Sequence, residues 1–183
     1  MSLSKETIME KKGKEFKEPI EMQVTGLTID PFTSMPIVIL KDMADKQALP
    51  IWIGLIEASA IATELEKIQL SRPMTHDLLK NILEEFKVDV SKVVIHDLAD
   101  NTFYATIVLR QNGKEILMDA RPSDAIAVSL RTKAKIFVEQ AVIDKSRKID
   151  LSKEVLDKES SKKHKWAEIL ENLSPEDFGK YKM

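Results

Sequence analysis

The segment Asp119-Ala120-Arg121-Pro122-Ser123-Asp124 sets two carboxylates and a guanidinium within six residues. It lies between an apolar run, Glu115 to Met118, and the Ala-Ile-Ala-Val-Ser-Leu segment that ends at Arg131. Pro122 suits a first helical position, because its φ is fixed and its missing N–H would have no partner there. The hexad therefore reads as a strand-to-helix junction, whose free N–H groups and dipole favour anions. If the chain stays extended to Arg121, Asp119 and Arg121 share one face. Asp124 is then the third helical residue. A guanidinium so placed can stabilise developing phosphate charge, and carboxylates can hold a divalent cation. The same residues also serve a purely structural role, with Asp124 complementing the helix dipole and Arg121 pairing with Asp119.

Arg72-Pro73-Met74-Thr75-His76-Asp77 repeats the pattern of Arg, Pro and polar residues opening a helix. His76 is one of three histidines and can act as acid or base near neutral pH. As a solvent-facing first-turn residue it would do nothing. His96-Asp97 is assigned to structure, and His164 carries no signal. Glu57 opens another helix, and with Asp119 and Asp124 it is the candidate set for Mg²⁺ or Mn²⁺, which take oxygen ligands. The candidate catalytic residues are thus Asp119, Arg121, Asp124, Arg72, His76 and Asp77. Gly-rich phosphate loops, dinucleotide fingerprints, G-x-S-x-G and H-E-x-x-H are all absent.

The elements that must position these groups follow from periodicity. Ile20 to Asp30, Ile37 to Leu40 and Ala48 to Ile53 read as strands, broken by Pro31 to Pro36 and by a turn at Asp42 to Asp45. Ala58, Ile61, Leu65 and Ile68 recur at helical spacing. A second helix follows Pro73, with Thr75 as N-cap, a Met74–Leu79 staple and an apolar stripe of Leu78, Leu79, Ile82, Leu83 and Phe86. Val88 to Leu98, Thr102 to Arg110, Glu115 to Asp119 and Ala134 to Val138 read as strands. Asn112-Gly113 is a strong hairpin signal. A shift of 65 places lays Ala60-Ile61-Ala62 and Leu65 on Ala125-Ile126-Ala127 and Leu130, and Ile51 on Ile116. An internal duplication of a ββα unit is one explanation; chance likeness of two Ala-rich helices is the other. The fold class expected is α+β, a mixed, mainly antiparallel sheet with packed helices.

Composition sets the limits. The 183 residues are 43% hydrophobic and 32% charged, enough for one globular domain. Residues 1–18 read as a charged N-terminus without a signal peptide, 19–143 as the α+β domain, and 144–183 as a charged C-terminal extension with short helices. Asp144 to Lys165 carries eight Lys or Arg against five Asp or Glu. The net charge of −2 argues against a broadly basic nucleic-acid surface. The absence of Cys excludes disulfides and thiolate chemistry. No apolar run reaches the ~18 residues of a membrane span. A cytoplasmic, thermostable homodimer without a membrane partner is the expectation.

Three segments resemble the bifunctional nuclease domain family. They are Leu49-Pro-Ile-Trp-Ile-Gly54 with Glu57-Ala58, Arg72 to Leu79, and Asp119 to Ala127. The likeness spans Ile20 to Ile143. It implies an enzyme that cleaves RNA and DNA, an activity ascribed to plant members, with nucleic acid as partner. Carried over by motif, the residues at stake are Glu57, Arg72, His76, Asp77, Asp119, Arg121 and Asp124. Against a nuclease stand two alternatives: a non-enzymatic oligomeric binding or regulatory module, and buried salt-bridge clusters that fix the fold.

Overall fold

The computed structural model describes residues 19–146, so the expected N-terminal segment and most of the C-terminal extension lie outside the described residues. Seven strands form one sheet: β1 (Pro19–Ile29), β2 (Pro36–Asp42), β3 (Ala48–Trp52), β4 (Asp89–Ala99), β5 (Thr102–Gln111), β6 (Lys114–Ala120) and β7 (Lys135–Glu139). Their spatial order is β3-β2-β1-β7-β4-β5-β6. Every pairing is antiparallel except β4 with β7, which is parallel. Among the described residues the helices are α1 (Leu55–Leu65), α2 (Thr75–Glu85), α3 (Pro122–Thr132) and α4 (Gln140–Ser146). This is the α+β class with a mainly antiparallel sheet.

Local chemistry explains the turns. Asp100 and Asn101, with φ of 48° and 57°, close the β4–β5 hairpin, and Asn112 and Gly113, at 51° and 75°, close β5–β6. Left-handed residue pairs of this kind match the twist of a two-residue hairpin. Alternation then sends Val93, Ile95, Ala105 and Ile107 toward α1 and α3, into a core with Ile61, Ala62, Ile126 and Ala127. Ile37, Ile39, Val94 and Val108, of opposite parity, are buried too.

Two hairpin–helix units, β2-β3-α1 and β5-β6-α3, stand at opposite edges of the sheet. They place α1 and α3 side by side, so the N-termini after β3 and β6 can converge. The structure does not establish a duplication. Ile51 is 2% exposed in the first unit, whereas its counterpart Ile116 is 42% exposed in the second.

Several local expectations need correction. Thr75 is not the N-cap; Met74 is, and Thr75 is the first helical residue. The reason is Asp77, whose Oδ2 accepts from the Met74 N–H at 2.9 Å, as the third helical residue does in a capping box. The stripe of Leu78, Leu79, Ile82, Leu83 and Phe86 contributes no buried side chain. Met74 and Leu79 are likewise exposed rather than stapled under cover. Periodicity marked the helix as amphipathic, but α2 packs mainly along α3, and its polar first turn makes ion pairs there. Helix α4 covers residues on both sides of position 143. Its Lys145 donates to Asp97 Oδ1 at 2.7 Å, giving Asp97 the structural role expected of it. Among the described residues no helix is long and apolar enough to cross a membrane.

Candidate active site

Strand β6 ends at Ala120, and Arg121 is the N-cap residue of α3, with φ −68° and ψ 146°. Pro122 follows at the first helical position, as its fixed φ requires. The extended cap swings the Arg121 side chain over the helix N-terminus. Its Nε donates to Asp124 Oδ2 at 2.8 Å and its Nη1 to Glu57 Oε1 at 2.7 Å. Nη2 reaches Asp124 Oδ1 at 3.3 Å. The guanidinium thus joins the first turns of α1 and α3, which the packing of those helices brings together.

Glu57 owes its position to Gly54, the N-cap of α1. A Cβ at Gly54 would overlap the Glu57 carboxylate at Oε2. The missing Cβ leaves room for the carboxylate to fold back over the helix start, within reach of Arg121.

His76 approaches from α2, its Nε2 3.3 Å from Asp124 Oδ1. The side chain is largely buried. When Nε2–H faces the carboxylate, the neutral ring has its lone pair on Nδ1. Burial raises the pKa of Asp124, but the Arg121 guanidinium and His76 outweigh it and hold the carboxyl below its ordinary value. The hydrogen bond and charge of Asp124 raise the pKa of Arg121 in turn, with Glu57 adding to the effect. Asp124 therefore stays anionic and Arg121 cationic throughout the neutral range.

Four of the expected residues, Glu57, His76, Arg121 and Asp124, are brought together. The others are not. Asp119 pairs with Thr106 in the β5–β6 ladder, and its exposed side chain forms no ion pair or hydrogen bond among the described residues. Arg121 bonds Asp124 and Glu57, not Asp119, because the strand ends before the guanidinium turns to the helices. Asp77 faces the other way from His76, toward Arg131 of α3. Arg72 is exposed at the rim of a separate cavity.

The metal expectation meets a specific obstacle. The lone pairs of Glu57 and Asp124 that face each other are taken by Arg121, which already supplies the positive charge between them. Among the described residues no three acidic or imidazole side chains form a metal-holding group. As arranged, the donors fit a guanidinium and not a resident divalent ion.

Sequence reasoning missed Arg131. Its side chain is 2% exposed. Nε donates to Asp77 Oδ1, and Nη1 donates to the carbonyls of Ala60 at 3.0 Å and Ala127 at 3.1 Å. One residue therefore ties α1, α2 and α3 together. The available signal was helical spacing: Arg131 lies four residues after the buried Ala127, on the core face of α3. Burial works to raise the pKa of Asp77, yet Arg131, the Met74 N–H and His76 together keep it lowered.

Comparison with known proteins adds the following. The family model described as the bifunctional nuclease domain matches residues 38–152. A protein of Mycobacterium tuberculosis (strain H37Rv), itself described as uncharacterized, is 34% identical over 164 residues, covering 86% of this chain and 97% of that protein. Bifunctional nuclease 1 of Oryza sativa subsp. japonica is 27% identical over 109 residues, 58% of this chain and 33% of the rice protein. Bifunctional nuclease 2 of Arabidopsis thaliana is 26% identical over 110 residues, 57% of this chain and 33% of that protein. The chain thus matches about a third of the length of each of these plant proteins.

Proposed function

Because the chain belongs to the bifunctional nuclease domain family, we propose that it hydrolyses phosphodiester bonds of RNA and DNA at the Glu57–Arg121–Asp124–His76 cluster. The observation that carries this is an arginine fixed at both ends of its fork and still largely open to solvent, with an imidazole anchored beside it. A site acting on both nucleic acids cannot depend on a 2′-hydroxyl, so the nucleophile is water. Arg121 takes a non-bridging oxygen of the scissile phosphate and stabilises the charge that grows as water attacks phosphorus. His76, held through Nε2 by Asp124, accepts the water proton on Nδ1. As the new P–O bond forms, the bond to the leaving oxygen breaks, and that oxygen takes a proton from solvent. Glu57 keeps the guanidinium aimed. No step is routed through a metal, since a divalent ion at Glu57 and Asp124 would first have to displace Arg121.

The test is hydrolysis of end-labelled single-stranded RNA and DNA, with Mg²⁺ or Mn²⁺ and with chelator. Wild-type protein should cleave both substrates, and His76→Ala should cleave neither measurably. Equal cleavage by an Asp119→Asn, Asp124→Asn double variant would point to a contaminant or another site.

A further inference from the structure

About 10 Å along α3 from Asp124, at 1.5 Å per residue, lies a second feature that the cluster does not use. It is a surface cavity of about 240 Å³, with Arg131, Asp77 and Asn81 among its walls and Ser71 and Arg72 at the α1–α2 connection. Three properties mark it as more than a packing gap. Arg131 is buried, and its Nε and Nη1 are committed to Asp77, Ala60 and Ala127, which leaves the Nη2 donors outside that set. Among the described residues no fully buried polar side-chain atom lacks a partner, so Nη2 is reachable from the cavity that Arg131 lines. Arg72 sits in the same cavity and has no ion pair among the described residues. The local charge is also favourable. Glu64, the other acid in the wall, is paired with Lys67, so three cations stand against two carboxylates. Neutral donors from Ser71 and Asn81 complete a lining suited to oxyanions.

We infer that this cavity binds a backbone phosphate of the nucleic-acid strand, a few nucleotides from the bond cleaved at Arg121. Arg121 and Arg131 stand ten residues apart along α3, about 15 Å at 1.5 Å per residue, a span of a few nucleotides. The inference rests on the nuclease reading for its substrate but not for its chemistry. Arg131 provides a fixed Nη2 donor in the cavity wall, and Arg72 closes over the phosphate from the rim. Asp77 connects the two sites, because its neighbour His76 belongs to the cluster while its own carboxylate holds Arg131.

The test uses the full chain and a fluorescein-labelled single-stranded DNA twelve-mer with cleavage-resistant phosphorothioate linkages, read by anisotropy across a salt series. Arg72→Ala, at an exposed position, should weaken binding about tenfold and lower the slope of log K against log salt by about 0.7. Arg72→Glu should weaken binding further, with melting temperature unchanged in both. In ¹⁵N-labelled wild-type protein, inorganic phosphate should shift the Arg131 Nε–Hε resonance. Wild-type affinity and slope in both Arg72 variants would overturn the inference. A phosphate-shifted resonance without any Arg72 effect on the strand would also overturn it, by marking a site for free anions only. Hydrolysis, measured separately, keeps the two proposals apart. Arg72-dependent binding without cleavage removes the nuclease and leaves the cavity; cleavage without Arg72 dependence does the reverse.

Discussion

Two arginines on one helix divide the work of α3. Arg121 is 65% exposed, and ion pairs in that setting are worth only about 0.2–1 kcal/mol. The fold gains little from it, so the exposure of Arg121 weighs against an account of the junction as a buried salt-bridge cluster. Arg131, 2% exposed, is the residue to which that account applies. Arg121→Ala should therefore cost less than about 1 kcal/mol of stability by denaturant melts. Gly54→Ala makes a second residue-scale prediction. Its methyl group collides with the Glu57 carboxylate, so it should lower the rate of strand cleavage while circular dichroism shows the same secondary structure. Unchanged cleavage would show that Glu57 does not need to meet Arg121. The hexad around Arg121 was legible because Pro122 fixes where the helix starts. Glu57 was a candidate carboxylate because it opens a helix, but nothing local specifies its contact with Arg121 across 64 residues.

At the scale of elements, α2 is joined to the domain chiefly by polar contacts: Asp77 to Arg131 and His76 to Asp124. Arg131→Met should destabilise the protein by about 1–3 kcal/mol, because it strips the Ala60 and Ala127 carbonyls and Asp77 of their donor. Adding Asp77→Asn should recover part of that loss in a double-variant cycle. The pH dependence follows from the same pair. Asp77 and Asp124 have lowered pKa values in the fold, so the stability they add is fully present above the ordinary carboxyl value of about 3.9. It is lost as pH falls from there through the depressed folded values. Thermal melts between pH 6 and pH 2 should show a smaller drop for Asp77→Asn than for wild type, and an identical drop would remove Asp77 from the linkage. Arg131 could not be picked out locally. Its importance depends on a partner 54 residues earlier, and sequence spacing marked only the face on which it would lie. The stripe on α2 was read correctly as a pattern, but a pattern does not say what covers it.

For the whole molecule, sheet and helices converge on one result: α1, α2 and α3 bring their first turns or flanking loops to the same side, where His76, Arg121, Arg72 and the Arg131 cavity lie in sequence. At a net charge of −2, strand binding would rest on a few local cations, Arg121, Arg72 and Arg131. The expected homodimer has a candidate surface in the exposed Leu78 and Ile82 of α2 and Phe86 at its C-cap. Light scattering should report a particle of two chains, and Ile82→Glu with Phe86→Glu should reduce it to one; a wild-type monomer would end that proposal. The class and order of elements could be read from alternation, Asn112-Gly113 and the prolines, whereas the meeting of two helix N-termini required the sheet order. The most direct measurement is initial-rate cleavage of a labelled single-stranded RNA by wild type, Arg121→Lys and Arg121→Ala, purified identically and matched in melting temperature. Loss of one fixed donor to a developing oxyanion costs about 10²–10³-fold, so Arg121→Ala should fall by at least about a hundredfold, with Arg121→Lys in between. Equal rates in all three proteins would contradict a phosphodiesterase centred on Arg121.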